Sequence, residues 1–165
     1  MTKFIAPISV ALLVLLDQLT KIGIVNYFSD PSKENIKIIP GVLELTYVEN
    51  RGAAFGMLQG RVGLFVLITV VVLGVILWYW RSIPKNTSGT WMKVALVLVI
   101  SGAIGNLIDR VFIHYVRDMI YFSLIDFPVF NVADMCVVGG VILLFPILLF
   151  GNLDGEQVKT IDSEE

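Results

Sequence analysis

Four long stretches of apolar residues divide this chain. They cover about residues 4–25, 62–80, 91–110 and 130–150, and the second contains no charged residue. A helix needs roughly 20 mainly apolar residues to cross the hydrocarbon core of a bilayer. The pattern therefore predicts an all-α membrane protein with four transmembrane helices.

The segment between the first two stretches has a different period. Residues 36–39, the turn residues Pro40 and Gly41, and residues 42–48 indicate a β-hairpin, because apolar and polar side chains alternate in its second half. We expect this segment, residues 34–60, to lie outside the bilayer. Its last part predicts a short interfacial helix whose apolar side chains are Phe55, Met57 and Leu58.

Composition agrees with a membrane protein. Hydrophobic residues make up 56% of the 165 residues, whereas soluble domains contain about 45–50%. The net charge of −2 is too small to indicate nucleic-acid binding. The single cysteine, Cys136, excludes an internal disulfide and is interpreted as a packing residue.

Four spans place both termini on one side of the membrane. The loop that joins the second and third spans contains Arg81, Lys85 and Lys93 and no acidic residue. The positive-inside rule therefore makes this side cytoplasmic, although the opposite side carries more basic residues in total, several of them in a candidate site. We expect residues 1–150 to form one domain and residues 151–165 an acidic cytoplasmic tail.

The polar residues of the spans and loops gather at the opposite side. They are Asp17, Lys21, Asn50, Arg51, Asn106, Asp109, Arg110, Asp118, Asn131 and Asp134. Charged groups in a bilayer are costly and usually mark a functional site. A small-residue face in the third span, which includes Gly102, allows a neighbouring helix to approach closely.

Several of these residues also have a purely structural interpretation. Asp17 and Lys21 are four residues apart and can neutralise each other. Asn131 and Asp134 have the spacing of a helix cap. Asp109 beside Arg110 is compatible with solvation at the interface.

A metal site remains an alternative. It would use Asp109, His114, Asp118 and Asp134, but no tight ligand motif supports it. His114 stands alone in the sequence and is better explained as an interfacial residue. We therefore expect neither a metal nor a cofactor.

Five motifs resemble those of bacterial lipoprotein signal peptidase, also called signal peptidase II. They begin at Asp17, Asn50, Gly102, Val116 and Phe130 and read DQLTK, NRGAAF, GAIGNLIDR, VRD and FNVAD. They occur in the family's order and span all but the ends of the chain. Ser101 and Met119 depart from the residues usual in the family, and neither carries chemistry.

The resemblance implies an aspartic endopeptidase of the bacterial inner membrane with its active site near the outer face. Its partners would be membrane lipids and a prolipoprotein, cut before a diacylglyceryl-modified cysteine, and we expect it to act as a monomer. Asp118 and Asp134 would be catalytic. Support or substrate binding would fall to Asn50, Asn106, Arg110, Asn131, Asp109, Gly102 and the Asp17–Lys21 pair. Residues 34–60 would form an outer cradle and lid, with Phe55, Met57 and Leu58 in the lid.

Two other classes of function also use intramembrane polar residues. A four-helix transporter or proton pathway needs polar groups through the whole depth of the membrane, and the cytoplasmic halves of these spans are apolar. A structural subunit would explain caps and ion pairs, but it leaves the clustering of five motifs at one face unexplained.

Overall fold

The computed structural model describes residues 4–52 and 60–153. The predicted lid residues Phe55, Met57 and Leu58, and the interfacial helix that was to carry them, lie outside the described residues. Most of the expected acidic tail also lies outside that part of the chain.

Four long helices confirm the predicted spans. They are α1 (Ile5–Phe28), α2 (Val62–Tyr79), α3 (Thr87–Phe112) and α4 (Val132–Phe150), and a 3₁₀ turn at Trp80–Ser82 extends α2. All four are long and apolar enough to cross a membrane. α1 continues past its predicted end at residue 25 to Phe28, and α3 extends past its predicted ends to Thr87 and Phe112.

α3 is the central helix. The other three helices pack against it, and half of its most apolar window is buried, whereas none of the corresponding window of α2 is. Small residues make the close packing possible: a Cβ atom on Gly102 would collide with the main chain of Ala133 in α4. A Cβ atom on Gly105 would lie 2.6 Å from the Asp17 carboxylate of α1.

A three-stranded antiparallel sheet joins the helix ends on one side. Its strands are β1 (Ile36–Ile39), β2 (Leu43–Asn50) and β3 (Val116–Tyr121), in the order β1-β2-β3. The hairpin of β1 and β2 was predicted, with Gly41 at φ 73° in its turn. β3 was not predicted; the structure places Asp118 on this strand, which pairs with β2.

Candidate active site

The sheet and the helix ends enclose a cavity of about 670 Å³. Its polar lining is provided by Asn50, Asn106, Arg110, Asp118 and Asp134. The apolar lining includes Phe127, Pro128 and Val129 of the connection before α4, and Met135, Val138 and Ile142 along α4. The cavity therefore joins a polar end to an apolar wall.

Asp118 comes from β3. It is 2% exposed, and its Oδ2 accepts a hydrogen bond of 2.9 Å from Asn50 Nδ2 on β2. Its Oδ1 accepts one of 2.6 Å from Asn131 Nδ2. Burial raises the pKa of the Asp118 carboxyl to about 6, and the negative charge of Asp134 adds to this, against the effect of the Asn50 and Asn131 hydrogen bonds.

Asp134 comes from the first turn of α4, where it forms the capping box predicted from the sequence. The Asn131 side chain accepts from the Asp134 N–H at 3.0 Å, and the Asn131 N–H donates to Asp134 Oδ2 at 3.1 Å. The other oxygen, Oδ1, accepts from Asn106 Nδ2 at 2.8 Å. The helix cap thus also holds Asp134 at the cavity.

Two amides connect the aspartate pair. The Asn131 side chain contacts Asp118 directly, and its Nδ2 also donates to Asn106 Oδ1 at 3.1 Å. Asn106 Oδ1 accepts a second bond of 3.0 Å from Lys21 Nζ. Because a cation and an amide donate to this oxygen, the Asn106 NH₂ group must point towards Asp134.

Asp17 and Lys21 lie behind the cavity. They are 1% and 0% exposed, they form the expected ion pair at 2.9 Å, and neither lines the cavity. Asp17 Oδ1 also accepts from the Ala133 N–H at 2.9 Å, which ties α1 to the start of α4. Their position supports the structural part of the predicted role.

The interpretation of Asp109 as an interfacial, solvated group is wrong. The residue is 1% exposed and pairs with Arg117 and, at 3.4 Å, with Lys21 Nζ. Its neighbour Arg110 does line the cavity, with its guanidinium 5.0 Å from the centre of the Phe65 ring. In the part of the chain that the structure describes, no carboxylate lies within ion-pairing distance of Arg110.

Gly102 lies where α3 meets α4, and it lines a smaller cavity of about 310 Å³ that shares Asn106, Arg110 and Asp134 with the larger one. His114 is exposed, in the left-handed turn before β3 at φ 65°. Among the described residues, no group of three or more His, Cys, Asp or Glu could hold a metal ion. Both oxygens of Asp109 are taken by cations.

Two residues of this region were not singled out from the sequence. Arg117 pairs with Asp109, and Gln18 donates to Asp17, Asp109 and the Gly105 carbonyl while accepting from Arg117. No sequence pattern indicated Arg117, because Arg110 stands next to Asp109 and already offers it an opposite charge.

A comparison with known proteins decides the family. The sequence profile of the family described as Signal peptidase (SPase) II matches residues 9–150. The chain belongs to the signal peptidase II family. It is therefore a multi-pass membrane peptidase, and the transporter and structural-subunit alternatives are not favoured.

Relatives and solved structures agree with this family. A protein named lipoprotein signal peptidase from Streptococcus thermophilus (strain CNRZ 1066) is 46% identical over 148 residues, which cover 90% of this chain and 94% of that protein. The protein of the same name from Streptococcus pyogenes serotype M1 is 46% identical over 144 residues, covering 87% and 92%.

A solved structure of a bacterial membrane enzyme at 1.9 Å resolution has a TM-score of 0.74 and 34% identity, and the match covers 89% of this chain and 94% of that one. A second, at 2.3 Å, has the same TM-score and identity, with 87% of both chains covered. The four-helix family fold, with its small sheet, is thus shared over most of the chain.

Proposed function

We propose that this peptidase removes the signal peptide of prolipoproteins by cutting before a diacylglyceryl-modified cysteine, with Asp118 and Asp134 as its catalytic residues. The observation that carries the proposal is that β3 and α4 bring these two carboxyls to one cavity, where Asn131 contacts both: its side-chain amide donates to Asp118 and its main-chain N–H donates to Asp134. Peptide hydrolysis can be carried out by two carboxyls that share one proton.

The two carboxyls differ in their surroundings, which favours different roles. Asp134 accepts hydrogen bonds from a main-chain N–H and an amide at a helix N-terminus, and these stabilise its anion. The Asp118 side chain is buried, whereas Asp134 is only partly buried, and burial raises the pKa of Asp118 to about 6. We therefore assign Asp134 as general base and Asp118 as the proton holder.

The reaction then proceeds in two steps. Asp134 takes a proton from a water molecule, whose oxygen forms a bond to the scissile carbonyl carbon, while protonated Asp118 donates a hydrogen bond to the carbonyl oxygen. As the C–N bond breaks, the leaving nitrogen gains a proton from the pair. Arg110, which lines the cavity, can hold a substrate carbonyl, and Asn50, Asn106 and Asn131 orient the carboxyls.

The cavity wall supports a lipid-modified substrate. Met135, Val138 and Ile142 of α4 line it and are also exposed on the surface of the bundle. Acyl chains attached next to the scissile bond can therefore remain in apolar surroundings while the peptide reaches the aspartate pair. Residues 34–60 would form the cradle and lid around the bound peptide.

The proposed orientation follows the positive-inside rule. We place the termini and the acidic tail in the cytoplasm, residues 1–150 in a single peptidase domain of the bacterial inner membrane, and the cavity near its outer face. We further propose that the chain acts as a monomer, since both proposed catalytic aspartates and the described lining of the cavity belong to one copy.

The test uses purified protein in detergent and a diacylglyceryl-modified prolipoprotein, with cleavage read as a gel shift. Asp118→Asn and Asp134→Asn should each lower kcat/KM by roughly a thousand-fold or more, and the substrate without its diacylglyceryl group should remain uncut. Asp126→Asn is the matched control, because Asp126 is exposed in the connection before α4 and does not line the cavity.

Cleavage that persists in folded Asp118→Asn or Asp134→Asn protein would refute the assigned residues. Equal cleavage of the modified and unmodified substrates would refute the substrate class.

A further inference from the structure

Arg117 immediately precedes Asp118 on β3. Because successive side chains of a strand point to opposite faces, Asp118 lines the cavity while Arg117 turns towards α1 and α3. The Arg117 side chain is only 14% exposed. It is thus a mostly buried cation one residue away from a proposed catalytic carboxyl.

Asp109 holds Arg117 through both its main chain and its side chain. Asp109 Oδ2 accepts from the Arg117 N–H at 3.0 Å and from Nε at 3.2 Å. Asp109 Oδ1 accepts from Arg117 Nη2 at 2.6 Å, and the same Nη2 donates to Gln18 Oε1 at 2.8 Å. This fork-like contact fixes the start of β3 against the end of α3.

The charges around this contact balance. Asp17, Lys21, Asp109 and Arg117, which we call the buried ion cluster, comprise two anions and two cations linked at 2.6–3.4 Å. Uncompensated buried charge is strongly unfavourable. Arg117 supplies the second cation, without which the cluster would carry one excess negative charge.

Other charged or titratable groups surround Arg117. Glu49 of β2 is the cross-strand neighbour of Arg117. The Glu49 carboxylate forms an exposed ion pair with Arg51 at 2.8 Å. Tyr115 lies near Arg117, and burial raises the pKa of Tyr47, so that this phenol stays neutral. On the cavity side lie Asp118, Asp134 and Arg110.

We infer that Arg117 is a positioning residue for the aspartate pair: its contact with Asp109 sets the place of Asp118, and its charge keeps the buried ion cluster neutral. The buried ion cluster is connected to the aspartate pair in two ways. One is the peptide bond between Arg117 and Asp118, and the other is the bond from Lys21 Nζ to Asn106 Oδ1.

The two parts of this role have different experimental signatures. Arg117→Gln removes the positive charge, so that the excess negative charge favours the proton-bound forms of the pair. The pH profile of kcat/KM should then move to higher pH by roughly half a unit to one unit. Arg117→Lys keeps the charge but loses the two-nitrogen contact of the guanidinium with Asp109. We therefore expect kcat/KM to fall about tenfold without a shift in its pH profile.

Substitution of Asp109 should shift the pH profile in the opposite direction. Asp109→Asn leaves one excess positive charge and should move the profile to lower pH. The double variant with Asp109→Asn and Arg117→Gln is neutral again and should return the profile to the wild-type position. Lys37→Gln removes the same charge from an exposed site on β1 and serves as the control.

The experiment is a pH series of cleavage by each purified variant, with folding checked by thermal melting. A folded Arg117→Gln protein whose profile superimposes on the wild type overturns the inference. If only Arg117→Gln fails to fold, Arg117→Lys and the double variant are used instead. A pH profile displaced from that of the wild type in either of these variants overturns the inference.

This inference rests on the proposed function, and the two can fail separately. A wild-type chain that does not cleave, or an Asp118→Asn variant that still does, refutes the proposed function. A wild-type chain that cleaves, with an unmoved profile in folded Arg117→Gln, refutes only the role of Arg117.

Discussion

Asp118 is held in surroundings that favour its neutral form. Its pKa rises from 3.8 to about 6, first because the carboxyl is buried. The folded chain thus binds this proton more tightly than the unfolded chain, so the stability that the proton contributes is present below about pH 4. It is lost as the pH rises through about 6, and the loss is about 3 kcal/mol at most.

Asp118→Asn should therefore stabilise the protein while it abolishes cleavage. Asparagine remains neutral at every pH, although it cannot accept from both Asn50 and Asn131 as the carboxylate does. We expect the variant to melt several degrees above the wild type at pH 8 and to lose this advantage near pH 4. Asp126→Asn is the control, and a difference in melting temperature that does not vary with pH would contradict the account.

Residue identities alone revealed part of this site. The capping box of Asn131 and Asp134 depends on a spacing of three residues, and the Asp17–Lys21 pair on a spacing of four, so both are local and were predicted. The partners of Asp109 are not local. Arg117 reaches Asp109 only because the chain turns at His114, and no sequence pattern predicted that turn.

At the scale of elements, the packing of α3 against α4 determines where Asp134 lies. Gly102→Ala would place a methyl group against the main-chain oxygen of Ala133 and against Val137, and a helix backbone cannot give way as a flexible side chain can. We expect a loss of roughly 1–3 kcal/mol and at least a tenfold fall in kcat/KM, because Asp134 moves relative to Asn106.

Gly74→Ala on α2 is the control for this substitution, since a Cβ atom there meets no atom within 4 Å. Thermal melting and the cleavage assay on both variants provide the measurement. Equal behaviour of the two would show that close approach at Gly102 is not required.

The elements themselves were predictable to different degrees. Long apolar runs specify the four helices, and the β1–β2 hairpin follows from its alternation and its Pro-Gly turn. In β3, Arg117 and Asp118 interrupt the apolar residues, and the strand exists because β2 supplies its hydrogen-bond partners. Such pairing between distant segments cannot be predicted from the local sequence of either one.

At the scale of the whole molecule, one end of the bundle carries the sheet and the cavity, and the other carries the basic loop. Our proposed orientation predicts which positions a membrane-impermeant thiol reagent can reach in intact cells. Ser32→Cys, in the exposed connection before β1, should be labelled, whereas Thr87→Cys, at the start of α3, should react only after the membrane is permeabilised.

The unsubstituted chain is the blank for this experiment, because Cys136 is buried. The reverse labelling pattern would place the cavity on the cytoplasmic side and would contradict the orientation.

The double anchoring of the Asp134 carboxylate restricts how a reaction can begin. One oxygen is held by the first turn of its own helix and the other by Asn106, so the group has little freedom to swing out and meet an incoming bond. Under the proposed function, the lipid-modified peptide must then bring its carbonyl to a carboxylate that stays in place. The proposed mechanism therefore depends on how the substrate is seated and not on movement of the aspartate.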